Sequence, residues 1–372
     1  MRRPIYLDHN ATTPVLPEVV EAMNRCFLED FGNPSCAHAL GQRAKAALEE
    51  ARSCVARLVH AHPDEILFVS GGTEANNLAL LGVALRHPTG HVITSRIEHP
   101  SVLNPCVYLL EKGYDVTFLE VDGQGYVDPG DVQRHLRKDT LLVSIMLANN
   151  ETGALQPVSE IGRLCREAGV LFHTDAAQAV GKIPVSVEDL SCDLLTIAGH
   201  KLYAPKGIGA LYVKRGLALE KLLHGAGQER GLRPGTEPVP LAVGLGRACA
   251  LLREDLAAEA AREEGLRERL YAGLKEIFPA LVRHGDPSRT LPNTLNVSFP
   301  GYTGEEILRQ IPELCASTGA ACHDRSVTIS HVLAAMGVSR EVARGAIRFS
   351  LGRGTSLQDI ETTLQLFRDY FR

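Results

Sequence analysis

The sequence predicts an α/β protein: a large unit built on a mostly parallel sheet, followed by a smaller C-terminal α/β unit. Three observations predict it. From residue 65 onward, short apolar runs alternate with segments of helical period, the rhythm of strands joined by crossover helices. After Val213 that rhythm stops, and a glycine- and charge-rich stretch leads into a different pattern. The 372 residues are enough for two such units.

The elements follow in order. Residues 5–14 form an extended lead-in, Pro17 opens a helix, 31–35 is a loop and 41–59 is a long helix. Strands are expected at 65–70, 91–96, 115–121, 141–148, 170–177, 193–199 and 207–215. Helices are expected between most of them, at 71–85, 101–113, 131–138 and 158–169. Residues 224–236 show no period and read as an ordered loop; 238–278 read as one or two long helices. A strand (294–299), a helix (304–311), a loop (315–328), a helix (329–337), a strand (346–351) and a last helix (357–371) complete the chain. We expect residues 15–240 to form the large domain, and 1–14 with 241–372 to form the small one.

Composition narrows the functional classes. A net charge of −5 does not point to nucleic acid or an anionic membrane. No apolar run is long enough to span a bilayer, and no apolar core follows the N-terminal arginines as in a secretory signal. Nine scattered cysteines, with no CxxC pair, fit a reducing compartment, and we expect the cytoplasm. No histidine or cysteine pair has zinc spacing, and Gly225-Ala226-Gly227 lacks the strand of a dinucleotide fingerprint.

In open α/β sheets ligands bind beyond the carboxyl ends of the strands. Five expected strand ends deliver polar residues there: Gly71-Gly72-Thr73-Glu74, His99, Asn149-Asn150-Glu151, Asp175 with Gln178, and His200-Lys201. Each has a plain reading: a helix cap, a surface histidine, a turn, a surface lysine. Asp175 resists it most, since a carboxylate in an apolar strand needs a partner. Together they match what pyridoxal 5′-phosphate demands. It needs a lysine for the imine, a carboxylate for the ring nitrogen, a helix N-terminus for the phosphate and a flat group over the ring. Cys322 stands apart from the other cysteines. It lies in a small-residue loop beside His323, which favours thiolate, although a loop cysteine of no consequence is the plain alternative.

The segments LDHNATTP, SGGTEANN, EHPSV, ANNETG, HTDAAQAVGK, GHKLYAPKGIGALYV, GQERGLRPGTE, STGAACH and IRFSLGR occur in this order over nearly the whole chain. In them the sequence resembles the cysteine desulfurases and their relatives the selenocysteine lyases. These are pyridoxal-phosphate enzymes of fold type I, the aspartate aminotransferase-like fold. The resemblance implies a homodimer in which Lys201 is the Schiff-base lysine and proton shuttle, and His99 stacks on the ring and assists acid–base steps. Asp175 would pair with the pyridine nitrogen and Gln178 with the ring hydroxyl. Gly72, Thr73 and His200 would hold the phosphate, helped by Thr236 from the second subunit. Asn10, Asn150 and Arg348 would bind substrate, the arginine fork taking its carboxylate, and Asn150 would touch the cofactor as well. Cys322 would receive the sulfur of L-cysteine as a persulfide, releasing L-alanine, and pass it to an acceptor protein.

Two departures leave the substrate open. Desulfurases that serve iron–sulfur assembly usually carry a serine where this chain has Ala198. Several segments are also at least as close to selenocysteine lyases, which act on L-selenocysteine. A plain aminotransferase would need no Cys322, and a scaffold without chemistry would need neither Lys201 nor Asp175.

Overall fold

The computed structural model describes residues 4–318 and 329–372. β1 (Ile5–Tyr6), α1 (Pro17–Leu28) and α2 (Ala39–Leu58) come first. Next, β2 (Ile66–Val69), β3 (His91–Ser95), β4 (Asp115–Leu119), β5 (Thr140–Ser144) and β6 (Leu171–Asp175) are separated by helices. These are α3 (Gly72–Ala84), α4 (Pro100–Glu111), α5 (Pro129–His135) and α6 (Val158–Ala168). β7 (Leu194–Ala198) and β8 (Gly209–Val213) complete the large sheet. There follow α7 (Val239–Ile277), β9 (Val282–His284), β10 (Thr294–Ser298), α8 (Gly304–Gln310) and β11 (Leu314–Cys315). The last elements are α9 (His331–Ala335), α10 (Arg340–Ala343), β12 (Ala346–Ser350) and α11 (Leu357–Tyr370).

The large sheet has the order β2-β8-β7-β6-β5-β3-β4. All its strands are parallel except β8, which runs antiparallel to both neighbours. Only residues 199–208 join β7 to β8. A parallel connection needs a crossover of a dozen residues or more, so the chain turns back instead. Alternate side chains feed two cores: Ile66 and Phe68 of β2 pack on one face, Leu67 and Val69 on the other. That period of two, with both faces covered, is why the strands read as unbroken apolar runs.

A second, antiparallel sheet has the order β12-β10-β9. Its core joins Leu295, Val297, Ile347 and Phe349 to Leu270 and Leu274 of α7 and Leu364 and Phe367 of α11. The expected one or two long helices are two helical segments, together α7, that meet at a kink at Asp255 (φ −133°, ψ 18°). Ala242, Leu245 and Leu252 before the break pack in the large core, and Leu270 and Leu274 after it in the small one. Cys315, expected at the start of a loop, is instead in β11, paired with β1. β9 and α10, three and four residues long, were not expected, because they are too short to show a period.

The aperiodic 224–236 stretch is tied to the large unit by one buried ion pair. Arg52 Nη1 and Nη2 donate to Glu229 Oε2 and Oε1 at 2.9 and 2.7 Å, and the Phe68 N–H donates to Oε2 at 2.8 Å. Removing one partner strands a buried charge. Glu229→Ala is therefore expected to lower stability by about 3–5 kcal/mol, read as a lower urea midpoint at unchanged slope.

Candidate active site

Beyond the carboxyl ends of the large sheet's strands lies a cavity of about 320 Å³. The expected residues Asn10, Gly72, Thr73, His99, Asn150, Asp175, Gln178, His200, Lys201 and Arg348 all line it. The expected Thr236 does not: it is exposed, in the loop before α7. Cys322 lies outside the described residues.

Lys201 ends a short 3₁₀ turn that follows β7 directly. Its Nζ donates to the backbone carbonyls of Asn10 and Ala11, the latter at 2.8 Å. Burial pushes its pKa down to about 8; Arg348 lowers it further, while Asp8 and Asp175 oppose. The amine is therefore neutral, and nucleophilic, at a pH where a solvated lysine is charged.

Asp175 closes β6. Its Oδ1 accepts the Ala177 N–H at 2.9 Å and its Oδ2 accepts Asn76 Nδ2 at 2.7 Å. Asn76 Nδ2 also donates to Ser101 Oγ at 2.8 Å, and Ser101 Oγ lies 2.7 Å from His99 Nδ1. The Ser101 N–H donates to the same nitrogen at 3.1 Å, so neutral His99 carries its proton on Nε2. Burial lowers the His99 pKa; Asp175 opposes, while Lys201 and His331 reinforce. A polar chain thus runs from the carboxylate to the imidazole. Asn76 and Ser101 were not singled out from the sequence. The available signal was an amide on the buried face of α3, beside Ala75, Leu78 and Ala79.

α3 begins at Gly72 with no side chain capping it. Its free N–H groups and dipole face the cavity through Gly72 and Thr73. A Cβ on Gly72 would lie 3.2 Å from the Ala198 methyl, so the cradle is closed on that side. His200 Nδ1 is 3.2 Å from Thr12 Oγ1, and burial pushes its pKa down to about 4.

Arg348 arrives on β12, from the second sheet. Its Nη1 donates to the Asn150 carbonyl at 3.0 Å and its Nη2 to Asp8 Oδ1 at 2.6 Å. The Asn149–Gly153 turn that presents Asn150 needs glycine at its end. Gly153 has φ +77°, and a Cβ there would lie 2.8 Å from Thr294 Cβ. Asn10 ties the N-terminal segment to the second sheet: Nδ2 donates to Thr294 Oγ1 at 2.8 Å, and Oδ1 accepts Asn293 Nδ2 at 3.1 Å. The residues flanking the undescribed stretch are held nearby. Ser317 exchanges backbone hydrogen bonds with Arg348, at 2.7 and 3.2 Å, and Ser330 Oγ donates to Glu151 Oε2.

A lysine, a carboxylate, an uncapped helix start and an arginine on one cavity at the strand ends define the class. Residues 5–363 match the family described as Aminotransferase class-V, and the chain belongs to it. It is 45% identical over 370 residues to the cysteine desulfurase IscS of Dictyoglomus turgidum, covering 98% of this chain and 94% of that one. It is 45% identical over 375 residues to the IscS of Pectobacterium atrosepticum, covering 99% and 93%. Among solved structures, a NifS-like protein superposes with a TM-score of 0.93 at 38% identity, covering 99% of both chains. SspA in complex with cysteine superposes with a TM-score of 0.84 at 40% identity, covering 93% of this chain and 98% of that one.

The residues present fit pyridoxal 5′-phosphate. Gly72 and Thr73 at the open end of α3, with His200, would hold the phosphate. Asp175 would hold the ring nitrogen, Gln178 the ring hydroxyl and Lys201 the aldehyde carbon. The buried Oδ1 of Asn76, which also borders the cavity, has no partner among the described residues.

Proposed function

We infer that this chain is a pyridoxal-phosphate-dependent cysteine desulfurase. It converts L-cysteine to L-alanine and takes the sulfur onto Cys322. The observation that supports this most is the single cavity that joins Lys201, Asp175 and Arg348. The flanks of residues 319–328, the stretch that carries Cys322, are bonded to Arg348 and to Glu151, next to Asn150.

When bound, the cofactor supplies a carbonyl that condenses with amines and a conjugated ring that accepts the electron pair released at Cα. The chain's own groups do the rest. Arg348 binds the substrate carboxylate, with Asn150 and Asn10 beside it. Lys201, its pKa lowered to about 8, takes the Cα proton and returns it to Cα at the end, while the proton given up by the Cys322 thiol balances the one gained by the carbon that becomes the alanine methyl. Asp175 would pair with the ring nitrogen, and Asn76 and Ser101 hold Asp175 and His99 in register. The Cys322 thiolate attacks the substrate sulfur. A sulfur–sulfur bond forms, the substrate Cβ–S bond breaks, and its electron pair stays with carbon, which is then protonated. The persulfide then passes to the thiol of an acceptor protein.

We read the enzyme as a cytoplasmic homodimer in which the exposed Thr236 completes the partner's phosphate site. No helix among the described residues is long and apolar enough to cross a membrane.

The direct test is incubation of the purified protein with L-cysteine and a thiol reductant, scoring alanine and sulfide in equal amounts. Keto-acid formation without sulfide would point to transamination instead. A parallel assay with L-selenocysteine compares kcat/KM for the two substrates. The lowered Lys201 pKa makes a further prediction. Only the neutral amine condenses with an aldehyde, so the rate at which the apoprotein takes up pyridoxal phosphate should rise with pH. Its midpoint is expected near 8 rather than near 10.5, the ordinary lysine value.

A further inference from the structure

Behind the cavity lies a second amine that the reaction above does not use. Lys182 sits in the turns after β6, four residues beyond Gln178, and is only 8% exposed. No carboxylate pairs with it within 4 Å among the described residues. Its Nζ donates instead to two neutral side-chain oxygens, Gln178 Oε1 at 2.7 Å and Asn10 Oδ1 at 3.2 Å. The titratable and charged groups around it are Lys201 and Arg348, which repel it, His9 of the N-terminal segment, and Glu263 of α7, which attracts it when ionised and is itself pushed up to about 8 by burial. Burial and those two cations push its pKa down to about 7.

The two ends of a glutamine amide are nearly the same shape, so the hydrogen-bond partners decide which end faces where. The Asn10 carbonyl only accepts, so it takes the N–H end, and Lys182 Nζ donates to the oxygen end. Gln178 Nε2 is thereby turned the other way and donates to the Asn10 carbonyl at 2.9 Å, the same oxygen that holds Lys201 Nζ. Among the described residues this uses one of its two N–H groups, and Gln178 borders the cavity. We propose that Lys182 is a positioning residue: it locks the Gln178 amide with its N–H end toward the cavity, where it meets an anionic oxygen on the ring of the bound cofactor.

This rests on the pyridoxal-phosphate reading, and the experiment separates the two. The wild-type holoenzyme is first reduced with borohydride and mapped. If no cofactor is joined to Lys201, the underlying reading fails. If it is joined, K182M, Q178L and the double variant are compared as holoenzymes. The readouts are the pH midpoint of the cofactor's visible absorbance, and kcat and KM for cysteine. An N–H donor favours the deprotonated oxygen, so losing it should move the midpoint to higher pH. In K182M the midpoint should rise by about one pH unit, with kcat down roughly tenfold and KM little changed. The double variant should match Q178L alone, because Lys182 acts through that amide. An equal rise from K182M in the Q178L background would mean a direct charge effect and overturn the proposal, as would an unmoved midpoint. If K182M does not fold, K182Q, which keeps the length and one donor, replaces it. Misfolding of both would assign the lysine to stability and also overturn the proposal.

Discussion

Lys201→Ala is expected to lower cysteine turnover by roughly 10⁴-fold, since it removes the covalent anchor and the proton carrier together. Among the described residues there is no substitute: Lys201 is the lysine that borders the cavity, and Lys182 is held by Gln178 and Asn10. The remaining pocket is intact, because the backbone carbonyls of Asn10 and Ala11 that hold the amine are placed by other bonds, including Asn10 N–H to Ser350 Oγ at 2.9 Å. The variant should therefore still bind pyridoxal phosphate, reversibly, and borohydride should leave no adduct. Turnover within tenfold of wild type would move the attachment point to another residue.

Cys322→Ala should abolish sulfide and alanine production, by roughly 10³-fold or more, while the cofactor's visible absorbance stays. Four of the other eight thiols are poor replacements. Cys106 and Cys165 are buried, and burial pushes their pKa values up to about 12. Cys192 and Cys249 are buried as well and are pushed up further. None of these four offers a thiolate at neutral pH, and thiolate is the attacking form. Mass spectrometry of the wild-type protein after a limited dose of cysteine should find one extra sulfur on the peptide bearing Cys322. Full cysteine turnover by the variant would rule out a persulfide at this position. Loss of cysteine turnover with selenocysteine turnover intact would fit a selenol leaving without help from the thiol.

Much of the cavity was legible in one dimension. Asp175, Asn150, His99 and Lys201 follow strands that could be recognised from apolar runs, and strand ends in such a sheet face one rim. Thr73 was legible because glycines opening a helix leave N–H groups free. Asn76 was not, because an amide of the Asn76-Asn77 pair in a helix is read as surface until the sheet it packs on is known. Lys182 was hidden for a similar reason: a lysine in a turn looks solvated, and only the closing of the N-terminal segment over it takes it out of water. From the residues alone Asn10 reads as part of an extended lead-in, and only the family resemblance singles it out. In the folded chain it joins Thr294 and Asn293 near the second sheet to Lys182 and, through its carbonyl, to Lys201.

The sequence by itself determined the class of architecture, the strand ends and the chemical types gathered there, since periodicity and turn chemistry are local properties. The tertiary structure decided what no local pattern carries: the reversed direction of β8, the kink in α7 that lets its two segments serve two cores, and the approach of Arg348 to Asp8 across 340 residues. The physical reason is that burial and charge compensation depend on which distant segments meet. The same lysine titrates as an ordinary cation on a surface and near 8 when it is buried beside an arginine.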